Sequence, residues 1–477
     1  MNTLRLAVSS LRSVYFHLAS APPRNLSLTL SLGDEYGNSF HERYIRTHMQ
    51  LLGLGLFCLL LLLAGCSKQP TNQEKPPIIL IVLDTLRADH LGAYGYSRPT
   101  SPELDAFAAS ATLYEYAMSP APWTPPAVAS IFSGLYPTSH GMMPPKDRET
   151  ARKASKRLPD EVLTLAERLK TSGYYTLGLS ANPWISKTYG FAQGYDVFSN
   201  QVKARAEEVT NRALALLKLA PQGSSPFLYV HYLDPHDPYD PPAPFRTMFA
   251  PAPGYPPKMA TAIGRYDGEI RYLDQHLGRF FAELKAREMF DKSLIIIVGD
   301  HGEQFKEHGH HRHGFHLFNE EIHVPLIVKY PQQTQGKRVA HTVSSVDILP
   351  TVLAALKIPK ESYLAGSALQ DESALATRMG VLAEIYRVYD LKAYVTPEGN
   401  KLLLEGEKKP LSFDPTRVAD AWLKPTLLGI FGRSIGIRET PKMLASEVAK
   451  SLERNFTVLY QDAIQNQLEN DAVVTLS

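Results

Sequence analysis

Three aspartates, Asp84, Asp234 and Asp300, stand at or just past the ends of unbroken apolar runs at residues 78–83, 227–233 and 294–298. Such runs read as strands buried on both faces of a parallel sheet. In open α/β sheets the site lies beyond the carboxyl ends of the strands, so three acids placed there would converge on one crevice. Thr124 gives a second signal. The segment Trp123-Thr-Pro-Pro-Ala-Val-Ala-Ser-Ile-Phe-Ser-Gly134 reads as a helix start, with Thr124 at the N-cap, proline in the first turn and a glycine stop. Free N–H groups and the positive end of the dipole at a helix start would hold an oxyanion and favour the alkoxide of Thr124 together. Taken alone, the segment reads more readily as a plain cap, because caps vastly outnumber nucleophiles. The third signal is residues 307–316, with five histidines in ten positions. That density fits a second metal, a substrate-binding rim or a solvated loop.

The elements that must position these groups alternate in type. Helical patterns lie at 101–109, 163–170, 209–219 and 260–286, between the apolar runs. Strands alternating with helices predict an α/β fold: a doubly wound, mostly parallel sheet flanked by helices. A last helix is expected at 343–356, then short strands over 381–404 around a turn at 397–400, which makes a small C-terminal α+β subdomain. The tail from Ala419 onward is helical in pattern. The expected organisation is an upstream extension or long n-region (1–48), a signal-peptide core (49–65), a polar tether (66–75), a catalytic domain (76–360) and the C-terminal subdomain with its tail (361–477).

Composition narrows the partner. Fifty basic residues against 48 acidic ones leave a formal charge of +2, which points away from nucleic acid and polybasic membrane binding and towards a small molecule; with the function expected below, the partner is a small-molecule or envelope/glycan ester substrate. Both cysteines, Cys58 and Cys66, fall in the apolar segment 49–66, leaving the globular part without a disulfide or a thiol nucleophile. That segment follows Arg43 and Arg46 and matches a signal peptide in charge order and length, while being short for a membrane span. Its end, Leu63-Ala-Gly-Cys66, resembles the bacterial lipobox, in which the cysteine is acylated. Lipidation at Cys66, with Ser67 next, implies a lipid anchor on the periplasmic side of the cell envelope, at the outer membrane. An uncleaved anchor would leave the body on the same side.

Six motifs in order over residues 76–360 resemble the sulfatase family of the alkaline phosphatase superfamily. Asp84-Thr-Leu-Arg-Ala-Asp-His-Leu-Gly-Ala-Tyr-Gly95 is similar to the first metal-ligand motif, and Thr124 to Pro137 with His140-Gly141 to the nucleophile helix. His231-Tyr-Leu-Asp-Pro-His-Asp-Pro-Tyr239 resembles the substrate-histidine loop, and Gly299-Asp-His-Gly-Glu303 the second metal motif. His313-Gly314 with Glu320, Val324 and Pro325, then Val346-Asp-Ile-Leu-Pro-Thr351, complete the series. The resemblance implies an alkaline phosphatase-like fold and a metal held by Asp84, Asp300, His301 and the Thr124 oxygen. It also implies that His236 protonates the leaving group or touches substrate, and that His313 contacts the transferred group.

The departures refine the chemistry. Sulfatases oxidise a Cys or Ser in a Cys-x-Pro-x-Arg type motif to formylglycine; here Thr124 holds that position and Val128 stands where the arginine belongs. Formylglycine cannot form from threonine. The sulfate-binding Gly-Lys-Trp-His segment aligns with Ser180-Ala-Asn-Pro183, so Asn182 takes a substrate-side place without the family's lysine and histidine, and Thr85 replaces the second acid of the usual Asp-Asp pair. What is left is similar to the single-metal site of phosphoglycerol transferases. One imidazole among oxygens favours Mn²⁺ or Zn²⁺, with Ca²⁺ or Mg²⁺ as the other choices. Such an ion would lower the pKa of the Thr124 hydroxyl and activate a weak nucleophile. A second metal would need Asp234 or His236 as well. Glu303, Arg87, Asp89 and Asp347 match family motifs but serve equally well as caps, pairs or turn holders.

The expected function is a metal-dependent hydrolase of phosphate mono- or diesters with Thr124 as nucleophile. The alternatives are a sulfuric ester hydrolase without formylglycine, a phosphoethanolamine or phosphoglycerol transferase, and a binding lipoprotein that kept the fold without catalysis.

Overall fold

The computed structural model describes residues 75–142, 157–386, 390–397, 399, 401–405 and 409–410. The signal-like segment, Cys66, the tether up to residue 74, the loop 143–156 and the tail from Ala419 lie outside the described residues. The first apolar run forms β1 (Ile78–Leu83), with all six side chains at zero exposure. Each such side chain contributes about 1.5–3 kcal/mol of apolar burial. β1 pairs in parallel with β5 (Ser225–Tyr232) on one side and β6 (Leu294–Gly299) on the other, so the three apolar runs are adjacent strands.

Five more strands complete an eight-stranded sheet. β3 (Tyr174–Ser180) and β4 (Val197–Asn200) extend it past β5; β9 (His323–Lys329), β2 (Thr112–Met118) and β10 (Lys337–Ser344) extend it past β6. The order is β10-β2-β9-β6-β1-β5-β3-β4, and β9 runs antiparallel to both its neighbours while the other pairings are parallel. The expected doubly wound, mostly parallel sheet is what forms.

Alternation along β1 divides the core in two, because successive side chains of a strand point to opposite faces. Ile79, Ile81 and Leu83 pack on one face with α1 (Pro102–Ala108), α4 (Ala206–Leu216) and α5 (Pro257–Ala286). Ile78, Leu80 and Val82 pack on the other with α2 (Thr124–Ser133), α3 (Leu165–Thr171) and α6 (Ile348–Ala355). A separate antiparallel sheet of β11 (Val381–Tyr386), β12 (Asp390–Val395), β13 (Lys401–Glu405) and β14 (Lys409–Pro410) shares a small core with Met118, Leu317 and Ile322. The hairpin of β7 (Gln304–Phe305) and β8 (His311–Arg312) carries part of the histidine-rich segment.

Three expected boundaries move, the simplest being the helix expected at 260–286, which starts at Pro257. The expected helix at 343–356 begins as strand, since Val343 and Ser344 belong to β10, and α6 starts only at Ile348. Asp347 sets the break: its carboxylate accepts the N–H of Ser344, the reciprocal cap that opens a helical turn. The expected helix at 209–219 starts earlier, at Ala206, and its last three residues tighten into a 3₁₀ turn.

Candidate active site

The two strand ends beside β1 and β6 bring Asp84 and Asp300 together. Asp84 Oδ2 accepts hydrogen bonds from Asn182 Nδ2 at 2.6 Å and His231 Nε2 at 3.1 Å. Asp300 Oδ1 accepts the backbone N–H of His301 at 2.8 Å and of Thr85 at 3.1 Å. Each carboxylate is thus held by two donors on one oxygen. The other oxygen, Asp84 Oδ1 or Asp300 Oδ2, is buried without a hydrogen-bond partner. Both orphaned oxygens face one nitrogen: His301 Nε2 lies 4.0 Å from Asp84 Oδ1 and 3.5 Å from Asp300 Oδ2.

The loops that set these angles are unusual. Thr85 adopts a left-handed conformation, φ 55°, which turns its N–H onto Asp300; its carbonyl accepts the Tyr266 hydroxyl at 2.7 Å. The glycine after His301 is needed for space, since a Cβ on Gly302 would sit 2.1 Å from the Glu320 carbonyl oxygen. His301 Nδ1 lies 2.9 Å from the Gly302 carbonyl, an acceptor only, so Nδ1 carries the proton and the Nε2 lone pair faces the carboxylates.

Thr124 completes the group from the α2 side. Its Oγ1 lies 3.1 Å from His301 Nε2, and Asn182 Nδ2 lies 3.5 Å from the same hydroxyl. Trp123, not Thr124, is the N-cap, and Thr124 is the first helical residue. The expected nest of free N–H groups is also reduced: Pro125 and Pro126 have none, and Ala127 N–H already donates to the Trp123 carbonyl at 3.3 Å. Only the N–H of Thr124 itself is left in the first turn, so stabilisation of an anion must come from the side chains opposite. All ten residues of α2 are buried, and Gly134, at φ 69°, ends the helix as expected.

Burial and proximity split the charges. Burial, the largest single influence, would raise the Asp84 carboxyl, but His231, His236 and His301 together outweigh it and hold Asp84 well below the usual carboxylate range. Burial, reinforced by the charge of Asp84, pushes Asp300 well upward. Burial, with His313 close by, keeps His301 neutral far below its ordinary value. Two converging orphaned carboxylate oxygens, an imidazole lone pair and a hydroxyl form a donor set that fits a divalent cation. Asp84, His231 and Asp300 also offer ligand atoms within 4.8 Å of one another.

The remaining expected residues take different places. The His313 ring lies 4.4 Å from the His301 ring, tilted 44° to it, with Nδ1 3.0 Å from Glu303 Oε1. Burial would lower its pKa, but Glu303 outweighs burial and raises it. His236 sits one ring further out, 5.1 Å from His313, with Nδ1 2.5 Å from the Asp237 carbonyl. The histidine-rich segment is divided: His313 lies at the site, while His308 stacks on Phe318, His310 stacks on Phe315, and His316 packs tilted against Phe318 and edge-on to His310. Glu321 ties that loop down by accepting the N–H groups of Gly314, Phe315 and His316.

Asp234 does not converge with Asp84 and Asp300. By alternation along β5 it shares a face with Tyr232, on the α5 side, where its Oδ1 accepts Ala206 N–H and its pKa rises to about 7 through burial. Its place is taken by His231, whose parity with Tyr229 puts it on the α2 side. The alternation of β5 is the signal able to find His231, and the acid at the strand end masks it. Arg87, Asp89 and Asp347 act as structure: Arg87 binds Asp89 and Glu307, and Asp347 binds Arg378 through both oxygens.

Residues 76–358 match the family model described as Sulfatase. The ulvan-active sulfatase of Formosa agariphila is 24% identical over 336 residues, covering 61% of this chain and 64% of that protein. Lipoteichoic acid synthase 1 of Bacillus subtilis is 31% identical over 164 residues, covering 31% of this chain and 25% of that protein. Among solved structures, the phosphonate monoester hydrolase SpPMH from Silicibacter pomeroyi superposes with a TM-score of 0.55 at 20% identity, covering 76% of this chain and 96% of that one.

Proposed function

Because the chain belongs to the sulfatase family of the alkaline phosphatase superfamily, we propose that it is a metal-dependent hydrolase that cleaves phosphate mono- or diesters, with Thr124 as the nucleophile. The observation that carries this reading is the Thr124 hydroxyl beside His301 Nε2 and two orphaned carboxylate oxygens. Asp84, Asp300, His301 and Thr124 would hold one ion, Mn²⁺ or Zn²⁺ by preference, with Ca²⁺ or Mg²⁺ next. When bound, that ion supplies Lewis-acid stabilisation and lowers the pKa of the hydroxyl it touches.

The chain's own groups supply the rest. Thr124 Oγ1 gives its proton to solvent and attacks phosphorus; the ester oxygen departs with the bonding pair and takes a proton from His236 at the rim. Water then attacks phosphorus and passes one proton back to His236, while the bond from phosphorus to Oγ1 breaks and Oγ1 takes a proton from solvent, which restores the hydroxyl. Asn182 orients both Asp84 and the nucleophile, and His313 stands where it would meet the transferred group. The threonine separates this chain from formylglycine chemistry, which is why phosphoryl transfer is preferred over sulfuryl transfer here. Capture of the same intermediate by an alcohol would make the enzyme a transferase, a reading favoured by the match to lipoteichoic acid synthase 1.

The deciding experiment is turnover of p-nitrophenyl phosphate, bis-p-nitrophenyl phosphate and p-nitrophenyl sulfate by the purified protein with Mn²⁺ or Zn²⁺, beside Thr124→Ala. Phosphate or diester turnover that the variant loses supports the proposal. Sulfate turnover, or activity that survives Thr124→Ala, overturns it. The anchoring at Cys66 on the periplasmic side belongs to the same reading. Mass spectrometry of the mature N-terminus should find an acylated cysteine, and Cys66→Ala should release the body from the membrane fraction.

A further inference from the structure

Resting on the metal-dependent reading above, we infer that Tyr229 and His231 are positioning residues: a one-way hydrogen-bond relay that fixes which oxygen of Asp84 faces the metal. The Tyr229 hydroxyl lies 2.9 Å from His231 Nδ1, and His231 Nε2 lies 3.1 Å from Asp84 Oδ2. All three residues are fully buried, so water does not compete for these bonds.

Proton accounting gives the relay its direction. An ionised carboxylate only accepts, so the nitrogen facing Asp84 must carry a proton. In the neutral imidazole the other nitrogen, Nδ1, is then an acceptor, and the Tyr229 hydroxyl has to donate to it. The buried phenol stays protonated well above its ordinary value, which keeps it a donor. The chain of donation runs Tyr229 to His231 to Asp84 Oδ2, and Asn182 closes on the same oxygen at 2.6 Å. With Oδ2 held by two donors, Oδ1 is left facing His301.

The sequence builds this relay from a period of two. Tyr229 and His231 point to the α2 side of β5, and β5 pairs with β1 in a register that sets Val82 against His231, two residues before Asp84. The alternative role for His231 is that of a direct metal ligand, which needs a bare Nε2. What argues against it is the second donor on Asp84 Oδ2, Asn182 Nδ2 at 2.6 Å, which marks that oxygen as a hydrogen-bond acceptor, with Oδ1 left without a partner.

The test uses the full chain. Long-range ¹H–¹⁵N spectra of histidine-labelled, metal-free protein should show His231 as the Nε2–H tautomer. In Tyr229→Phe, which keeps the ring packed 4.8 Å from Phe132, the Nδ1 resonance should shift as its hydrogen bond is lost. Equilibrium dialysis with Mn²⁺ should show weaker binding by about 10- to 100-fold in His231→Ala and several-fold in Tyr229→Phe, with partial recovery in His231→Gln, since outer partners of metal ligands typically carry effects of that size. Circular dichroism confirms that each variant is folded. An Nδ1–H tautomer in the metal-free protein, unchanged Mn²⁺ affinity in both Tyr229→Phe and His231→Ala, or loss of the Nε2 proton on adding Zn²⁺ would each overturn the relay. A wild-type protein that binds no metal would instead sink the proposed function, while the metal-free tautomer would still decide the direction of the relay.

Discussion

Thr124 Oγ1 and His301 Nε2 stand 3.1 Å apart, joining the first turn of α2 to the end of β6 across the top of the sheet. On the proposed reading that hydroxyl is the member of the donor set that bonds to phosphorus. Thr124→Ala should lower kcat on the best phosphate ester at least about a thousandfold, as expected for removal of a covalent nucleophile. Thr124→Ser keeps the hydroxyl and should retain activity within roughly a hundredfold. Steady-state kinetics on both variants checks this, and a pre-steady-state burst seen in wild type should vanish in Thr124→Ala.

Two orphaned carboxylate oxygens in one buried spot make the apo protein electrostatically incomplete. Chelation should abolish turnover and lower the melting temperature. Mn²⁺ at a hundredfold excess over its Kd should restore about 2.7 kcal/mol of stability by mass action. Asp300→Asn should lose most of that metal-dependent gain. Differential scanning calorimetry with and without Mn²⁺ reads both, and equal melting temperatures in the two conditions would count against the site.

Asn182 touches both Asp84 and Thr124, at 2.6 and 3.5 Å. Asn182→Ala should lower kcat by roughly tenfold or more, because removing one charge-assisted hydrogen bond costs about 1.5–3 kcal/mol. Asn182→Asp should be worse than alanine, since it brings a third carboxylate against Asp84. Comparing the two variants under saturating Mn²⁺ separates orientation from charge.

His140 braces the far end of α2. Met142 N–H donates to its Nδ1 at 3.1 Å, so Nε2–H donates to Ser130 Oγ at 3.0 Å. Burial lowers its pKa from 6.5 to about 3. The unfolded chain therefore binds a proton that the folded one refuses between those values. Stability contributed by neutral His140 is present above about pH 6.5 and is lost as pH falls through the window towards 3, by at most about 1.4 kcal/mol per pH unit. Urea unfolding at pH 7, 6 and 5 should show this slope, and His140→Gln should flatten it.

Much of this arrangement was readable from residue order. The runs before Asp84 and Asp300 became adjacent central strands because six and five consecutive apolar side chains leave a strand no solvent face to turn outward. Asp84, Asp300, His301 and Thr124 gathered as the motif order implied. Asp234 did not, because what decides convergence is the parity of a residue on its strand as well as its nearness to the end, and Asp234 and His231 differ in parity. Thr124 moved from cap to first helical residue, and the two prolines behind it, read as helix-start signals, turned out to strip the helix end of donors. The left-handed turn at Thr85 had no signature, since threonine rarely adopts it; it exists because Asp300 and Tyr266 hold that peptide from both sides.

Helix α2 is enclosed along its whole length. If Thr124 is the nucleophile, such a support gives it almost no freedom to follow its substrate, and discrimination between esters falls to the rim, where His236 and His313 stand. Reaction and recognition are thereby built from separable parts of the chain. Descendants of this scaffold can change what they accept by altering the rim alone, while the Thr124 hydroxyl stays where the core has set it.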